Sequence, residues 1–568
     1  LILIPAGARP MLRGAMWSSL AIAARSLGPA LLLATAALVC LALVATWHQP
    51  MLVSNDGIQY LEGARALARG EGFSTRILIY DANFAVGALP AGQTTFPPGF
   101  SALIALPMLF GADDVAAAVT VSALALVGTG LLLGQAVSGF LGALLGAAFL
   151  LNFQGLTLTT VVASDVVFTA FAFGALLCAG TGLDRAVTSP GAGRSSFWQA
   201  GALAAAAVSC RFAGVFQLAA FGLFFGVRFL RHRSRARFQD GLALLLPGAL
   251  MLGVLFARNA ALSGDYDGGA LDAFSRPWRE VLERAFWGAV TVVGIAPRDA
   301  AAFVPQLALT AGAASGLLVL VWPARAQLGA VAGAWRREPT VGLCLVFVFV
   351  YLGALLHLSH TRNSIVLLPR YLLPLVPVVF LLAGRAFTGL VADGVLRPAP
   401  AALATASVSL GLVLGGFAWA PEARRVYFEG NPVVEGHAVL RGPTPDGRRV
   451  LDHVRAHLPI GAPVLAEPGH AVGRLLGHPT LGPIGSAYSG RPWTPDQVLT
   501  EVRRHGVEHA IHLRGLSQPT DTPGFWRGVA TNGPPPWLVP VFVHPDVTVY
   551  RIARPSPRRL PSPGVTPP

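Results

Sequence analysis

Residues 221–256 read FGLFFGVRFLRHRSRARFQDGLALLLPGALMLGVLF: an apolar run, a link carrying Arg228, Arg231, Arg233, Arg235 and Arg237, and a second apolar run. Such runs suit membrane helices, since crossing the hydrocarbon core takes about 20 predominantly apolar residues. Five guanidinium groups in so short a link predict a cytoplasmic position, because basic loops are retained on that side. A second basic link, with Arg325, Arg336 and Arg337, predicts the same for its own neighbourhood.

Working outward, apolar stretches fall near 29–47, 97–111, 113–137, 140–153, 166–183, 198–210, 212–230, 241–257, 303–322, 341–358, 371–390 and 401–419. The 97–111 stretch is short and opens on Pro97-Pro98-Gly99, which predicts an interfacial or re-entrant helix. The 198–230 stretch predicts two short helices broken near Arg211. Alternating sides from the two basic links gives a cytoplasmic N-terminus, eleven crossings and an external C-terminal region. The first run, 31–47, lacks a persuasive cleavage site and reads as a retained span.

Composition agrees. Of 568 residues 54% are hydrophobic and 12% charged, against about 25% charged in a soluble domain. That excludes an ordinary soluble enzyme. The net charge is +14 and all 42 basic residues are Arg, with much of the surplus in links between apolar runs. This distribution suits membrane orientation, and no nucleic-acid partner is expected. Cys40, Cys178, Cys210 and Cys344 lie in or beside apolar segments without metal-ligand spacing, and read as packing residues.

The expected fold is an all-α polytopic membrane bundle of about 11–13 membrane helices with a small α/β C-terminal extracytoplasmic domain. Residues 1–28 form a cytoplasmic segment, 29–420 the transmembrane domain with an external loop at 48–96, 421–554 the α/β domain, and 555–568 a disordered Pro-rich tail. Within the α/β domain, helical patterns at Val450–His457 and Pro495–His505 alternate with β-prone runs at Pro463–Ala466 and Ala510–Leu513. Leu538–Ile552 predicts further strands.

On this topology Asp56, Asp165, Arg211, Arg258, Asn259, Arg362 and Arg370 all fall outside or at outer helix ends, where a cluster of ionisable groups marks function. Asp56 begins a segment in which Ile58, Leu61, Ala64 and Leu67 recur at helical spacing, predicting an amphipathic helix on the membrane surface. Asp56 is then either a general base at the mouth of the bundle or merely an N-cap boxed by Gln59. Asp165 after Ser164 has the same two readings. External Arg258 and Arg370 run against the positive-inside trend; they either snorkel or bind an anion such as phosphate. His357 and His360 are three apart but lack a third metal ligand.

These residues resemble the GT-C superfamily of membrane glycosyltransferases, in the branch of the protein O-mannosyltransferases and the lipid A aminoarabinose transferase. The matching pieces, in the family's order, are Asn55-Asp56-Gly57 with Tyr60, Gly70-Glu71-Gly72-Phe73, Phe96-Pro97-Pro98-Gly99-Phe100, Ser164-Asp165, Cys210-Arg211-Phe212, Arg258-Asn259 and Arg370-Tyr371-Leu372-Leu373-Pro374. The resemblance implies inverting transfer of a sugar from a polyprenyl-phosphate carrier to an acceptor hydroxyl at the outer face of the cytoplasmic membrane. It implies Asp56 as the base and Asp165 as a second acidic group holding acceptor or metal. Arg258, Arg370 and, less directly, Arg211 would hold the lipid phosphate, with Tyr60, Asn259 and Tyr371 in support. A divalent cation, Mg2+ or Mn2+, fits this chemistry without being obligatory, because polyprenyl phosphate leaves readily. The acceptor is open among protein, lipid and glycan. A transporter or flippase of a lipid-linked anion is the alternative; it would use the same external charges, but the chain shows no internal repeat.

Overall fold

The computed structural model describes residues 9–47, 53–79, 81–137, 139–189, 191–266, 275–292, 338–362, 368–392, 405–406, 408–411, 413–414, 445–482, 493–513 and 525–553. The chain divides into two compact units. One comprises Leu1–Ala64, Phe96–Ala257 and Ala273–Arg425; the other comprises Arg65–Thr95, Arg258–Asp272 and Val426–Pro568.

In chain order the helices are α1 (Arg9–Trp47), α2 (Asn55–Ala68), the short α3 (Asp81–Val86), α4 (Gly99–Met108), α5 (Asp114–Val137), α6 (Gly139–Leu150) and α7 (Phe153–Thr160). They continue with α8 (Asp165–Thr188), α9 (Arg194–Cys210), α10 (Gly214–His232), α11 (Arg235–Ser263), α12 (Trp278–Val292), α13 (Pro339–Thr361), α14 (Pro369–Leu372) and α15 (Leu375–Ala392). Among the described residues seven are long and apolar enough to cross a membrane: α1 from Leu27, α5, α8, α10, α11, α13 and α15. The bent pair α6–α7 makes an eighth if taken as one span. The chain is a multi-pass membrane protein. The expected span at 303–322 lies outside the described residues, as does most of 401–419.

Side chains such as Leu38, Leu250 and Phe349 remain exposed on these helices, as a fold solvated by lipid requires. Helices associate in lipid by close backbone packing rather than by hydrophobic exclusion. Accordingly Gly130 and Gly134 on α5 oppose Gly142 and Gly146 on α6, where a Cβ on Gly146 would stand 2.6 Å from the Gly130 carbonyl oxygen. The 44° bend between α6 and α7 falls at Asn152, whose amide accepts from the Gly155 N–H and donates to the Val292 carbonyl.

Two expectations for short elements take definite form. α4 has ten residues, too few to span. α9 ends at Cys210 and α10 starts at Gly214, so the apolar stretch breaks at Arg211. The membrane-surface reading of α2 needs correction. Ile58, Leu61 and Ala64 are buried as the stripe predicts, but Gln59, Tyr60 and Glu62 are buried too. Protein, not the lipid interface, covers the polar face.

The second unit holds a small sheet of β1 (Ser74–Thr75) against β3 (Ala91–Gly92) and a six-stranded sheet in the order β2 (Ile77–Leu78), β5 (Thr480–Leu481), β4 (Val464–Glu467), β6 (His509–Leu513), β8 (Val547–Ile552) and β7 (Leu538–Val543). The first four run parallel, β8 pairs antiparallel with β6, and β7 pairs antiparallel with β8. Helices α16 (Pro445–His457), α17 (Gly469–Leu476), α18 (Pro495–Arg504) and α19 (Phe525–Asn532) accompany it. Leu465, Leu481, Val498, Val502, Phe525 and Trp526 fill its core. The edge strand β2 comes from the first loop, 48–96, which the sequence assigns to the membrane domain. Residues 65–95 group here with the C-terminal part.

Candidate active site

The site begins with how α2 starts. The Ser54 hydroxyl accepts from the Gly57 N–H at 2.9 Å, so Ser54 caps the helix and the Asp56 carboxylate is left for other work. Ser54 N–H donates to the Val161 carbonyl at 3.0 Å, fastening α2 to the turn that leads into Ser164-Asp165. A Cβ on Gly57 would stand 2.6 Å from the Val162 carbonyl oxygen, so only glycine permits this approach. Val162 itself adopts φ +57°, an unfavourable conformation for a β-branched residue and one that tightens the turn.

The Phe96-Pro97-Pro98-Gly99-Phe100 stretch then builds a cage for Tyr60. Phe96 and Phe100 meet its ring edge to face, with centroids 5.0 and 5.1 Å away. A Cβ on Gly99 would stand 2.6 Å from the Ser209 carbonyl oxygen, so the glycine lets α4 approach the end of α9 and its break at Arg211. The Tyr60 hydroxyl shares a 2.9 Å hydrogen bond with the Ser164 hydroxyl, which also accepts from Arg211 Nη1 at 3.2 Å. Burial drives the Tyr60 hydroxyl above the ordinary phenol range, against the pull of Arg211, so it stays protonated.

Two ion pairs complete the site. Arg211 Nη1 lies 2.8 Å from Asp165 Oδ2, and Arg370 Nη1 lies 2.9 Å from Asp56 Oδ2. The Tyr371 ring joins them, with the guanidinium carbons of Arg211 and Arg370 at 5.4 and 5.1 Å from its centroid. Arg370 Nη2 also donates to the Tyr371 hydroxyl at 3.2 Å, while its buried Nε makes no hydrogen bond. Burial works against charge on Arg370, yet Asp56 and Tyr371 more than reverse this and hold the guanidinium well above its ordinary range. Neither cap reading survives in simple form: Ser54 caps α2, and Ser164 at the start of α8 makes no side-chain cap bond.

No protein-family model matches the chain, and no curated protein matches it. Solved structures do. ArnT from Cupriavidus metallidurans in the apo state superposes with TM-score 0.57 at 15% identity, over 94% of this chain and 100% of that one. The same protein bound to undecaprenyl phosphate gives 0.55, also at 15% identity, over 93% and 99%. The Archaeoglobus fulgidus oligosaccharyltransferase in complex with Zn and sulfate gives 0.50 at 14% identity, over 85% and 68%. The chain has the GT-C fold.

Within this GT-C fold the residues singled out from sequence separate into two groups. Asp56, Tyr60, Asp165, Arg211, Arg370 and Tyr371 form one connected cluster in the membrane unit. Arg258, expected to hold the phosphate, and Asn259, expected in support, bond to backbone of the first loop. Arg258 donates to the Gln93 and Phe73 carbonyls at 2.7 and 3.0 Å and stacks 5.3 Å over the Phe73 ring. Asn259 donates to the Thr94 carbonyl at 3.1 Å. These two hold the first loop's backbone. The Gly70-Glu71-Gly72-Phe73 turn serves the same clamp: Gly70 and Gly72 take positive φ and present Phe73. The sequence reading names Ser164 only as the neighbour of Asp165 and misses its bridge between Tyr60 and Arg211. No periodic signal marks it; only its place beside Asp165 does.

His360 is likewise a docking residue. Its ring stacks on Trp278 at 4.4 Å and bonds the Arg276 carbonyl, while its own carbonyl accepts from Arg276 N–H. Among the described residues no group of three His, Cys, Asp or Glu side chains is placed to hold a metal ion. Asp56 and Asp165 each face a guanidinium.

Proposed function

We propose that the protein is a membrane glycosyltransferase that moves a sugar from a polyprenyl-phosphate carrier to an acceptor hydroxyl. One observation carries the reading: two carboxylates and two guanidinium groups paired at 2.8 and 2.9 Å around one tyrosine. ArnT, which superposes over 93% of this chain, has been captured with undecaprenyl phosphate, and this supports a lipid-phosphate donor. The arrangement suits an anion that arrives sideways through the bilayer. A donor phosphate competes with Asp56 for Arg370, whose unbonded Nε offers a further donor. Displaced from Arg370, the Asp56 carboxylate can take the acceptor's proton.

In the reaction the acceptor hydroxyl oxygen attacks the anomeric carbon as Asp56 removes its proton. The bond from that carbon to the phosphate oxygen breaks, and its electron pair leaves with the lipid phosphate. Attack opposite the leaving group inverts the anomeric centre. Arg370 and Arg211 stabilise the charge that develops on phosphate. Asp165 holds Arg211 in place and, with Tyr60 and Ser164, shapes the acceptor side. No step needs a bound metal, and transfer in EDTA is expected to keep most of its rate. The site lies at the end of α8–α10 opposite the Arg-rich link, and the positive-inside rule supports an outer-face position for it.

The decisive test incubates purified protein with a radiolabelled polyprenyl-phosphate sugar and envelope acceptors. Asp56→Asn is expected to lower transfer by roughly 10²–10⁴-fold with folding retained, the usual contribution of a positioned base. Undiminished transfer removes Asp56 from that role. Movement of donor across vesicles without a glycosidic product supports a transporter instead.

A further inference from the structure

At the other end of the same helices a cavity of about 270 Å³ opens between α8, α9, α10 and α11. It is smaller than the roughly 300–1,000 Å³ of a drug-sized ligand site. Its walls combine apolar Phe197 and Phe225 with Arg228, Arg237 and Asp240. Two of these polar groups lack the partners that burial demands. Arg237 Nη1 is buried without a hydrogen bond, and so is Asp240 Oδ1 on a side chain only 3% exposed. Among the described residues the cation within 4.0 Å of Asp240 is Arg194, at 3.9 Å, beyond hydrogen-bond length, and Arg194 Nη2 already donates to Gln239. Arg228 acts on Asp240 only at longer range, through its charge.

A cavity holding unmatched groups of both signs is costly unless something complements each. A simple anion would leave Asp240 Oδ1 without a hydrogen-bond donor, and a metal cation would leave Arg237 Nη1 without an acceptor. The complement is a phosphate bearing an ammonium. The surface beside the cavity points to the source of that phosphate. Val227 and Leu230 on α10, with Phe238 and Leu242 on α11, are exposed and apolar, a path for acyl chains.

We propose that this cavity is a binding site for an aminophospholipid. The headgroup phosphate sits with Arg228 and Arg237, the ammonium hydrogen-bonds Asp240, and the chains lie on the outer faces of α10 and α11. The site is separate from the transfer chemistry and stands or falls without it.

The test is native mass spectrometry of the full-length protein in detergent. The probes are phosphatidylethanolamine, phosphatidylglycerol and phosphatidylcholine, with soluble phosphoethanolamine and inorganic phosphate as further arms. One phosphatidylethanolamine is expected to remain bound at energies that strip the other lipids. The double variant Arg228→Gln/Arg237→Gln is expected to weaken it by about tenfold or more, as loss of charge-assisted bonds to phosphate should. Asp240→Asn should bring phosphatidylethanolamine down to the level of phosphatidylglycerol while leaving the latter unchanged. Ala186→Phe fills the cavity without touching a charge, so it tests the site even if the charge variants misfold; it should lose the same lipid. Equal retention of all lipids, or full retention in Ala186→Phe, overturns the proposal in favour of a nonspecific lipid shell. Soluble phosphoethanolamine or phosphate binding as tightly as the lipid overturns the lipid as occupant.

Discussion

The two ends of helices α8–α11 both gather arginines and use them in opposite ways. At one end Arg211 faces Asp165 and Arg370 faces Asp56, charge for charge, around Tyr371. At the other, Arg185, Arg194 and the five arginines of 228–237 outnumber Asp184 and Asp240. Under the proposed function the balanced end receives one incoming anion, since a resting site of zero net charge can exchange a carboxylate for a phosphate without rebuilding itself. The unbalanced end is the one that the positive-inside rule would assign to the cytoplasm. On that reading geometry matters at the first, and little more than charge count at the second, outside the cavity beside Asp240.

This contrast can be broken by experiment. Removing one member of a buried pair leaves an unanswered charge, so Arg211→Met is expected to destabilise the fold by about 3–5 kcal/mol in denaturant titrations in detergent. The double variant Asp165→Leu/Arg211→Met should recover much of that stability but not transfer. Equal stability of wild type and Arg211→Met would show that the pair is not desolvated. Next in size is Arg370→Gln, for which kcat/KM should fall roughly 10²–10³-fold, the effect of losing one preorganised donor to developing charge. A fall in affinity with unchanged kcat would reduce Arg370 to a tether. Gly99→Ala pushes a methyl into the Ser209 backbone and should cost about 1–3 kcal/mol, read in the same titrations. At the unbalanced end, Arg231→Gln, Arg233→Gln and Arg235→Gln, one at a time, should each change stability by less than about 0.5 kcal/mol and leave transfer within twofold. A large loss of transfer from any of these would erase the distinction between the ends.

How much of this was legible follows from which forces are local. Apolar runs report solvent directly, so α5, α8, α10, α11, α13 and α15 stand out in the sequence, and the break at Arg211 shows because a charge interrupts the run. Topology brings Asp56, Asp165, Arg211 and Arg370 to one face, but their roles came only from family resemblance, and nothing in spacing pairs residue 56 with residue 370. The partners of Arg258 were not legible at all. They are the backbone carbonyls of Phe73 and Gln93, which carry no side-chain signature. α2 misled for a related reason: periodicity reveals an apolar stripe but not what covers the opposite face. Strand β2 is two residues long, too short for any alternation to register. α12 escaped because its mixed sequence Trp278–Val292 lacks a continuous apolar run.

The fastening of Ser54 to Val161 and of Asp56 to Arg370 also sets a schedule for biogenesis. When the first loop leaves the ribosome, the segment that satisfies Ser54 is about a hundred residues behind it, and the arginine that neutralises Asp56 is about three hundred behind. The loop therefore waits through most of membrane insertion before its polar groups are met. A half-inserted chain carries a carboxylate but no assembled cluster around it, so under the proposed function it could not yet act on a carrier lipid. The cluster closes only once Arg370 and Tyr371 are in place.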